Sequence, residues 1–526
     1  MLWNGWGDPA RAAPLPDTVR GLLHDLLGVT STDTPPTPLA EIAVPASRLA
    51  AADLRALAAA VGDEHVRSDD ESRIRHTRGK STPDLLRMRH GDVSAAPDAV
   101  VAPGSHDDVL VVLRACTERR IAVVPFGGGT SVVGGLSSAA DRLIALDLRR
   151  LDRLVAVDSV SRTATLEPGL RAPAAEALLR EHGFTLGHFP QSYEWATIGG
   201  FAAARSSGQA SAGYGRFDDM VAGVTVATPR GTLDLGRAPR SAAGPDLRQL
   251  VLGSEGAFGV ITSVTVRVRP TPDTTAYEGW RFPSFAAGIA AVRALAQDGP
   301  LPTVLRLSDE TETMAGLAKP DQIGSSQDAG CLVIAGHEGT AADVAGRTAK
   351  VRAVLERAGG ELLGPGPGEE WARGRFGAPY LRDALLDAGA FAETLETATF
   401  WSGLPALYEA VRGALTEALT AVGTPPLVMC HVSHVYPAGA ALYFTVVAAE
   451  PGPDGWAKAK HAANDAILAA GGTISHHHGV GTDHMQWYAR EIGPLGVEVL
   501  RAVKDRLDPA GILNPGVLVP AKGDLG

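Results

Sequence analysis

The segment Pro125-Phe-Gly-Gly-Gly-Thr-Ser-Val-Val-Gly-Gly-Leu136 constrains this chain more than any other. Consecutive glycines directly after a short apolar run free several backbone N–H groups to approach one ligand closely. Such a nest of N–H groups binds an anion, most often phosphate. Thr130 and Ser131 add hydroxyl donors. No Lys follows the glycines as in a nucleotide phosphate loop, and Val132 breaks the dinucleotide fingerprint. Alone, such a loop is as often a plain tight turn. Two further stretches accompany it: Ile198-Gly-Gly200 followed by Arg205-Ser-Ser-Gly208, and Gly253-Ser-Glu-Gly-Ala-Phe-Gly-Val-Ile261. Together the three suggest one extended, phosphate-containing cofactor.

Composition excludes several function classes. The 526 residues suggest two to four domains, at roughly 100–200 residues each. With 45% hydrophobic and 20% charged residues, the chain can bury a large core. Lys plus Arg is 48 against 59 Asp plus Glu, a net charge of −11. Nucleic acid is therefore not an expected partner, because phosphate contacts need clustered positive charge. Cys116, Cys331 and Cys430 lie far apart with no metal-ligand spacing, so the expected compartment is a reducing cytoplasm. No apolar run approaches the roughly 18–20 residues that span a bilayer. The N-terminus carries no charged-then-apolar leader pattern, and the terminal Lys-Gly-Asp-Leu-Gly is not a peroxisomal address.

The pattern of segments is α+β. Residues 1–90 are mixed: residues 28–46 are rich in Thr and Pro, and Ala46–Val61 has helical apolar spacing. Ala99–Ala102, Ala122–Pro125, Leu143–Leu146, Leu154–Val157, Thr163–Leu166, Val221–Ala227 and Val260–Val268 read as strands. His106–Ala122 and Ala174–Glu181 read as helices, with Pro173 at the start of the second, where a missing N–H costs nothing. A Pro-containing stretch at 270–273 marks a boundary. Beyond it, helix-like Ser284–Ala296 and Ala341–Ala358 alternate with strand-like Leu332–Ala335, Val428–Val435 and Ala441–Val447. The expected division is an N-terminal segment 1–90, a cofactor domain 91–270, a cap domain 271–500 with a mixed sheet, and a segment 501–526 returning towards the cofactor. No internal repeat of fixed period is visible.

The chemistry-bearing residues outside the glycine stretches are few. His476, His477 and His478 sit in a Gly-flanked loop, where adjacent side chains cannot all share one face. No Cys or carboxylate lies at ligand spacing, so proton transfer is preferred to a metal. Arg306 and Arg382 each sit among apolar neighbours. Each is either half of a buried ion pair or a planar fork for phosphate or carboxylate. Tyr443 lies in an alternating strand and by pattern alone is core packing. His434 and Tyr436 lie on the preceding strand.

The three glycine stretches, in this order and spacing, resemble the FAD-binding domain of the vanillyl-alcohol oxidase / para-cresol methylhydroxylase superfamily. The resemblance implies noncovalent FAD. Pro125, Phe126, Gly127, Gly128, Gly129, Thr130 and Ser131 would cradle the pyrophosphate. Gln191, Ser192, Glu194, Thr197, Gly200, Arg205, Ser206, Ser207, Glu255, Gly256, Gly259, Val260 and Ile261 would line the rest. Other motifs look like the alkyldihydroxyacetonephosphate synthase family: Trp3-Asn-Gly-Trp-Gly7, Leu305-Arg-Leu307, Tyr380-Leu-Arg-Asp383, Glu393-Thr-Leu-Glu-Thr397, Ala441-Leu-Tyr-Phe444 and the triple histidine. One departure is His431, which stands where that family carries Arg. The resemblance implies exchange of an acyl group of acyl-dihydroxyacetone phosphate for a fatty alcohol, with the flavin holding the dihydroxyacetone phosphate at N5 without net redox change. Arg382 would bind phosphate, Arg306 would support that site or the leaving carboxylate, and Tyr443 with His476, His477 and His478 would move protons. A lipid or other small molecule is the expected substrate, with a homodimer and peripheral membrane contact. The runner-up is an FAD-dependent dehydrogenase or oxidase of a 2-hydroxy acid.

Overall fold

The computed structural model describes residues 1–30, 36–316 and 330–520. Residues 31–35 of the Thr- and Pro-rich connection and the terminal Lys-Gly-Asp-Leu-Gly lie outside them. Two small sheets, with a two-stranded pairing of Phe184–Thr185 and Arg269–Pro270, build the first half. One has the order Val66–Arg67, Ala99–Val101, Leu143–Asp147, Ala122–Phe126, and its last three strands are parallel. The crossover between Ala99–Val101 and Ala122–Phe126 is the helix His106–Arg119. Ser105 caps it, accepting from Asp108 N, and it buries Val109, Val112, Leu113 and Cys116 at helical spacing. The glycine loop leaves the carboxyl end of Ala122–Phe126, where parallel sheets present ligands.

The second sheet has five antiparallel strands in the order Leu154–Asp158, Thr163–Leu166, Val260–Arg267, Val221–Thr228, Gly231–Leu235. Its central strand carries the third glycine stretch into the sheet. Val264 and Val266 point into the apolar core, whereas Thr265 is half-buried.

The cap is one seven-stranded sheet: Glu361–Gly364, Thr274–Phe282, Cys331–Gly339, Val304–Ser308, Leu427–Val435, Gly439–Ala449, Ala390–Phe400. Every pairing in it is antiparallel, which corrects the mixed sheet expected from the sequence. Strand–helix–strand order suggests parallel neighbours, but each crossover here skips one position. Thr274–Phe282 and Val304–Ser308 run the same way with Cys331–Gly339 between them. Ala390–Phe400 and Leu427–Val435 run the same way with Gly439–Ala449 between them. The cap is thus two split βαβ units joined edge to edge.

Alternation along these strands separates core from site. Leu305, Leu307, Val432, Leu442, Phe444 and Val446 pack into the core beneath the helices Phe285–Asp298 and Leu404–Ala421. Arg306, Ser308, His431, Tyr443 and Thr445 face the opposite way, towards the first half of the molecule.

Candidate functional site

The site is a cavity of about 790 Å³ between the two halves. Its floor is the glycine loop. Phe126, Gly127, Gly128, Gly129, Thr130 and Ser131 line it, with Pro125 at the strand end. The loop is pressed against protein on its other side: a Cβ at Gly128 would stand 2.2 Å from Trp195 O. Gln191, Ser192, Thr197, Gly200, Ser206, Ser207, Glu255, Gly256, Gly259 and Ile261 continue the lining. A Cβ at Gly200, by contrast, would meet only Thr197 Oγ1, at 3.4 Å, and would project into the cavity.

The cradle fits FAD on two observations. It exposes a glycine-rich backbone to one continuous cavity, and the buried amide atoms Gln191 Nε2 and Gln209 Oε1, on residues that line it, have no hydrogen-bond partner. The C-terminal segment completes the floor. Asn514 Nδ2 donates to Gly135 O at 3.0 Å and Glu255 O at 2.7 Å, and Leu513 bridges Val123 in the strand before the glycine loop.

The cap supplies the opposite wall. Arg306 Nη2 donates to Glu312 Oε1 at 2.9 Å, and His431 Nδ1 lies 3.0 Å from the same oxygen. Burial would raise the Glu312 carboxyl, but Arg306 and His431 outweigh it and hold it down at about 2. Burial, then Arg306, lowers His431, so its ring is neutral. Both readings of Arg306 therefore hold: it is ion-paired, and it lines the cavity. Arg382 lines the cavity too, paired with Asp383 at 3.1 Å and donating to Lys80 O at 2.5 Å. Lys80 is buried beside it. Desolvation, then Arg382, lowers its ammonium to about 7.

Tyr443, His477 and His478 line the same cavity. The Tyr443 ring stacks on His431 with centroids 4.9 Å apart and on His477 at 6.1 Å. Burial pushes its hydroxyl up to about 12, which makes it a proton donor at neutral pH. Burial lowers His477 despite the nearby Glu396 carboxylate, leaving a neutral ring that can accept a proton.

The histidine loop owes its shape to two carboxylates, the buried Glu396 and the half-buried Glu255. Glu396 accepts from Ser475 Oγ at 2.7 Å and from the backbone N–H of His476, His477 and His478 at 2.7, 3.1 and 2.9 Å. Burial opposes its ionisation, but His477 and His478 and these N–H groups hold it well below the usual carboxylate range. Glu255 accepts from Val480 N and Gly481 N, each at 2.9 Å, and burial raises it to about 7. Sequence reasoning places Glu255 at the cofactor and misses Glu396, which the family motif Glu393–Thr397 contains without a role. Nothing local marks Glu396, because its partners lie about eighty residues away.

Four expected contacts face elsewhere. Glu194 accepts from Tyr380 Oη and pairs with Arg11, outside the lining. Arg205 sits at φ 50° at a helix end, and its guanidinium bonds the carbonyls of Leu252 and Gln249. Val260 is fully buried in the core, since strand alternation gives Gly259 and Ile261 the cavity side. His476 does not line the cavity either; its ring is held between Tyr436 and His477.

Nitrogens of His434, His476 and His477 lie within 4.8 Å of one another. They make a poor metal set. Ser207 and Ser211 hydroxyls approach His434 Nδ1, Tyr436 takes His476 Nε2, and the first two rings stack at 19° rather than converge in plane. The polar groups together offer two anion forks, one neutral proton acceptor and one proton donor. An apolar extension of the same cavity runs past Leu332, Ile334, Leu363, Pro367 and Trp371.

Comparison with known proteins gives two domain matches: an FAD binding domain over residues 97–235, and the C-terminal domain of FAD linked oxidases over 271–518. FAD is accordingly the cofactor. The chain is 31% identical to an alkyldihydroxyacetonephosphate synthase of Dictyostelium discoideum, over 99% of this chain and 93% of that one. A solved alkyldihydroxyacetonephosphate synthase superposes with TM-score 0.84 at 30% identity, covering 98% of both chains. A p-cresol methylhydroxylase structure shares the fold, with TM-score 0.72 at 17% identity over 92% of this chain and all of that one.

Proposed function

The chain belongs to the alkyldihydroxyacetonephosphate synthase family, and from that premise we propose that it replaces the acyl group of an acyl-dihydroxyacetone phosphate by a fatty alcohol, forming an ether with no net redox change. The observation that carries this reading is the single cavity holding Arg382, Arg306, Tyr443 and His477 and continuing into an apolar extension. A phosphate, an ester carboxylate and an alkyl chain each find a matching surface there.

FAD, held by the glycine stretches, supplies the nucleophilic nitrogen the exchange requires. The protein does the rest. Arg382 grips the phosphate through its planar fork. Arg306, fixed by Glu312, meets the leaving carboxylate. His477 takes the proton of the alcohol, and Tyr443 donates to oxygen. The FAD is noncovalent and should leave with the supernatant on acid denaturation. We include in the same reading a cytoplasmic homodimer in peripheral contact with a membrane, where its alkyl substrates reside. No helix among the described residues is long and apolar enough to cross one.

The test is direct. Under anaerobic conditions, acyl-dihydroxyacetone phosphate and a labelled fatty alcohol should yield fatty acid and an ether carrying the alcohol's own oxygen, with no electron acceptor consumed. Stoichiometric flavin bleaching by a 2-hydroxy acid, with no ether from any substrate pair, would overturn the reading. Tyr443→Phe should slow the reaction by about 10²–10⁴ while leaving FAD bound.

A further inference from the structure

His476, turned out of the reaction cavity, has both ring nitrogens engaged. Its Nδ1 lies 3.0 Å from His477 Nδ1, and its Nε2 lies 2.6 Å from the Tyr436 hydroxyl. His477 lines the reaction cavity. Tyr436 lines a second cleft of about 830 Å³, bounded also by Arg490 and Glu491, both exposed. Three side chains thus form a hydrogen-bonded series from the reaction cavity to a residue that lines the second cleft.

The middle member is built for transfer. Its backbone is pinned from both sides: the N–H donates to Glu396 Oε2 at 2.7 Å, and the carbonyl accepts from Arg216 Nη1 at 3.0 Å. Its ring stacks on His434 with centroids 4.9 Å apart. A neutral imidazole accepts at one nitrogen and donates from the other, so it can take a proton at Nδ1 and release one from Nε2 without leaving its place. Burial keeps the ring in that neutral form.

We propose that His477, His476 and Tyr436 form the proton exit path of the exchange reaction, with His476 and Tyr436 acting through His477. The inference rests on the function proposed above. In that reaction the C1–O bond to the acyloxy group breaks, and its electron pair leaves with the carboxylate. A C1–O bond to the alcohol oxygen forms, and the alcohol O–H bond breaks. The released fatty acid is ionised at neutral pH, so one proton is left over in each turnover and no electron is gained or lost. That proton is generated beside His477, where two long alkyl chains fill the cavity. It passes from His477 to His476, from His476 to the Tyr436 hydroxyl, and from there to water in the second cleft.

Tyr436→Phe tests the path, because it removes one hydroxyl and keeps the ring. FAD content and KM for both lipids should stay at wild-type values while kcat falls about tenfold or more, short of the loss expected for a direct general acid. An indicator dye in weak buffer should show proton release lagging behind fatty-acid release. Deuterated solvent should slow the variant more than the wild type, and added imidazole should restore part of the rate. His476→Gln, which cannot accept and release at opposite ends, should show the same lag. Wild-type kcat and prompt proton release in either variant would overturn the path, as would a rate loss matched by lost FAD or raised KM. A wild-type protein that makes no ether would overturn the proposed function and the path together. Ether formation unaffected by both substitutions would overturn the path alone.

Discussion

The two loops that meet at the heart of the molecule use opposite parts of the chain. The glycine loop, 127–131, turns its backbone to the cavity and has almost no side chains to offer. The histidine loop, 475–479, turns two side chains to the cavity, while Glu396 takes the backbone N–H groups of its three histidines. Just beyond them the chain segments meet, where Thr482 N and Asp483 N donate to Val133 O, at 3.1 and 3.2 Å. A nest that binds an anion and a nest that is filled by a carboxylate are the same device. One waits for a ligand, and the other has its anion built in. The first can be loaded and emptied; the second is fixed, which suits groups that must hold a reacting proton in register.

The largest effect that would break this comparison is at Gly200. Gly200→Val should abolish FAD uptake without disturbing the apo fold, since its side chain would enter the cavity and meet little protein. The holoprotein would lose the ligand-linked stabilisation, about 4 kcal/mol at a thousandfold excess of FAD over its dissociation constant. Gly128→Val should instead damage the apoprotein too, because Trp195 O stands in the way. Flavin absorbance with thermal unfolding, with and without FAD, separates the two.

Next is the built-in anion. Glu396→Gln places an amide against backbone N–H groups that need an acceptor, and should cost ~3 kcal/mol of stability. FAD should still bind, and ether formation should collapse. A variant that unfolds at the wild-type denaturant midpoint would mean that the histidine loop holds itself.

Arg382→Lys keeps the charge and loses the fork. Substrate affinity should fall by about 1.5–3 kcal/mol, read as a raised KM with FAD content unchanged. Unchanged kinetics would make the Arg382–Asp383 pair purely structural.

The smallest effect sharpens the contrast between the two carboxylates of the histidine loop. Glu396 is held ionised, so its contribution is present above the ordinary Glu range and is lost as pH falls. Glu255 is raised to about 7, so its contribution is full below about pH 4.5 and is lost as pH rises through 7. Glu255→Gln should therefore gain ~1 kcal/mol relative to wild type between pH 6 and pH 8. Denaturant titrations at the two pH values check the sign.

The glycine stretches were legible in the sequence because their chemistry is local: each is a run of residues that no regular element explains. Arg306, Arg382 and the histidines were legible as candidates from residue type, and Tyr443 only by resemblance. What sequence could not show is what holds them. Glu396 reaches a loop about eighty residues away, Glu312 reaches from a helix to Arg306 and His431 on two strands, and the burial that sets their charge is a property of the packed cap. Val260 is a different case, since period-two alternation from Ile261 already assigns it to the core. The antiparallel cap was hidden because a helix between two strands gives their relative direction and not which strand slips between them.

Asn514 has a consequence for how the protein is made. The carbonyls of Gly135 and Glu255 are tied together by a side chain that follows the whole cap in the chain. While the ribosome is still adding the cap, the FAD-binding half can form its sheets but not close its floor. Synthesis at about 5–20 residues per second leaves that half waiting tens of seconds. Flavin capture should therefore wait until the cap and Asn514 have been made, and nascent chains arrested before Asn514 should emerge folded in part and colourless.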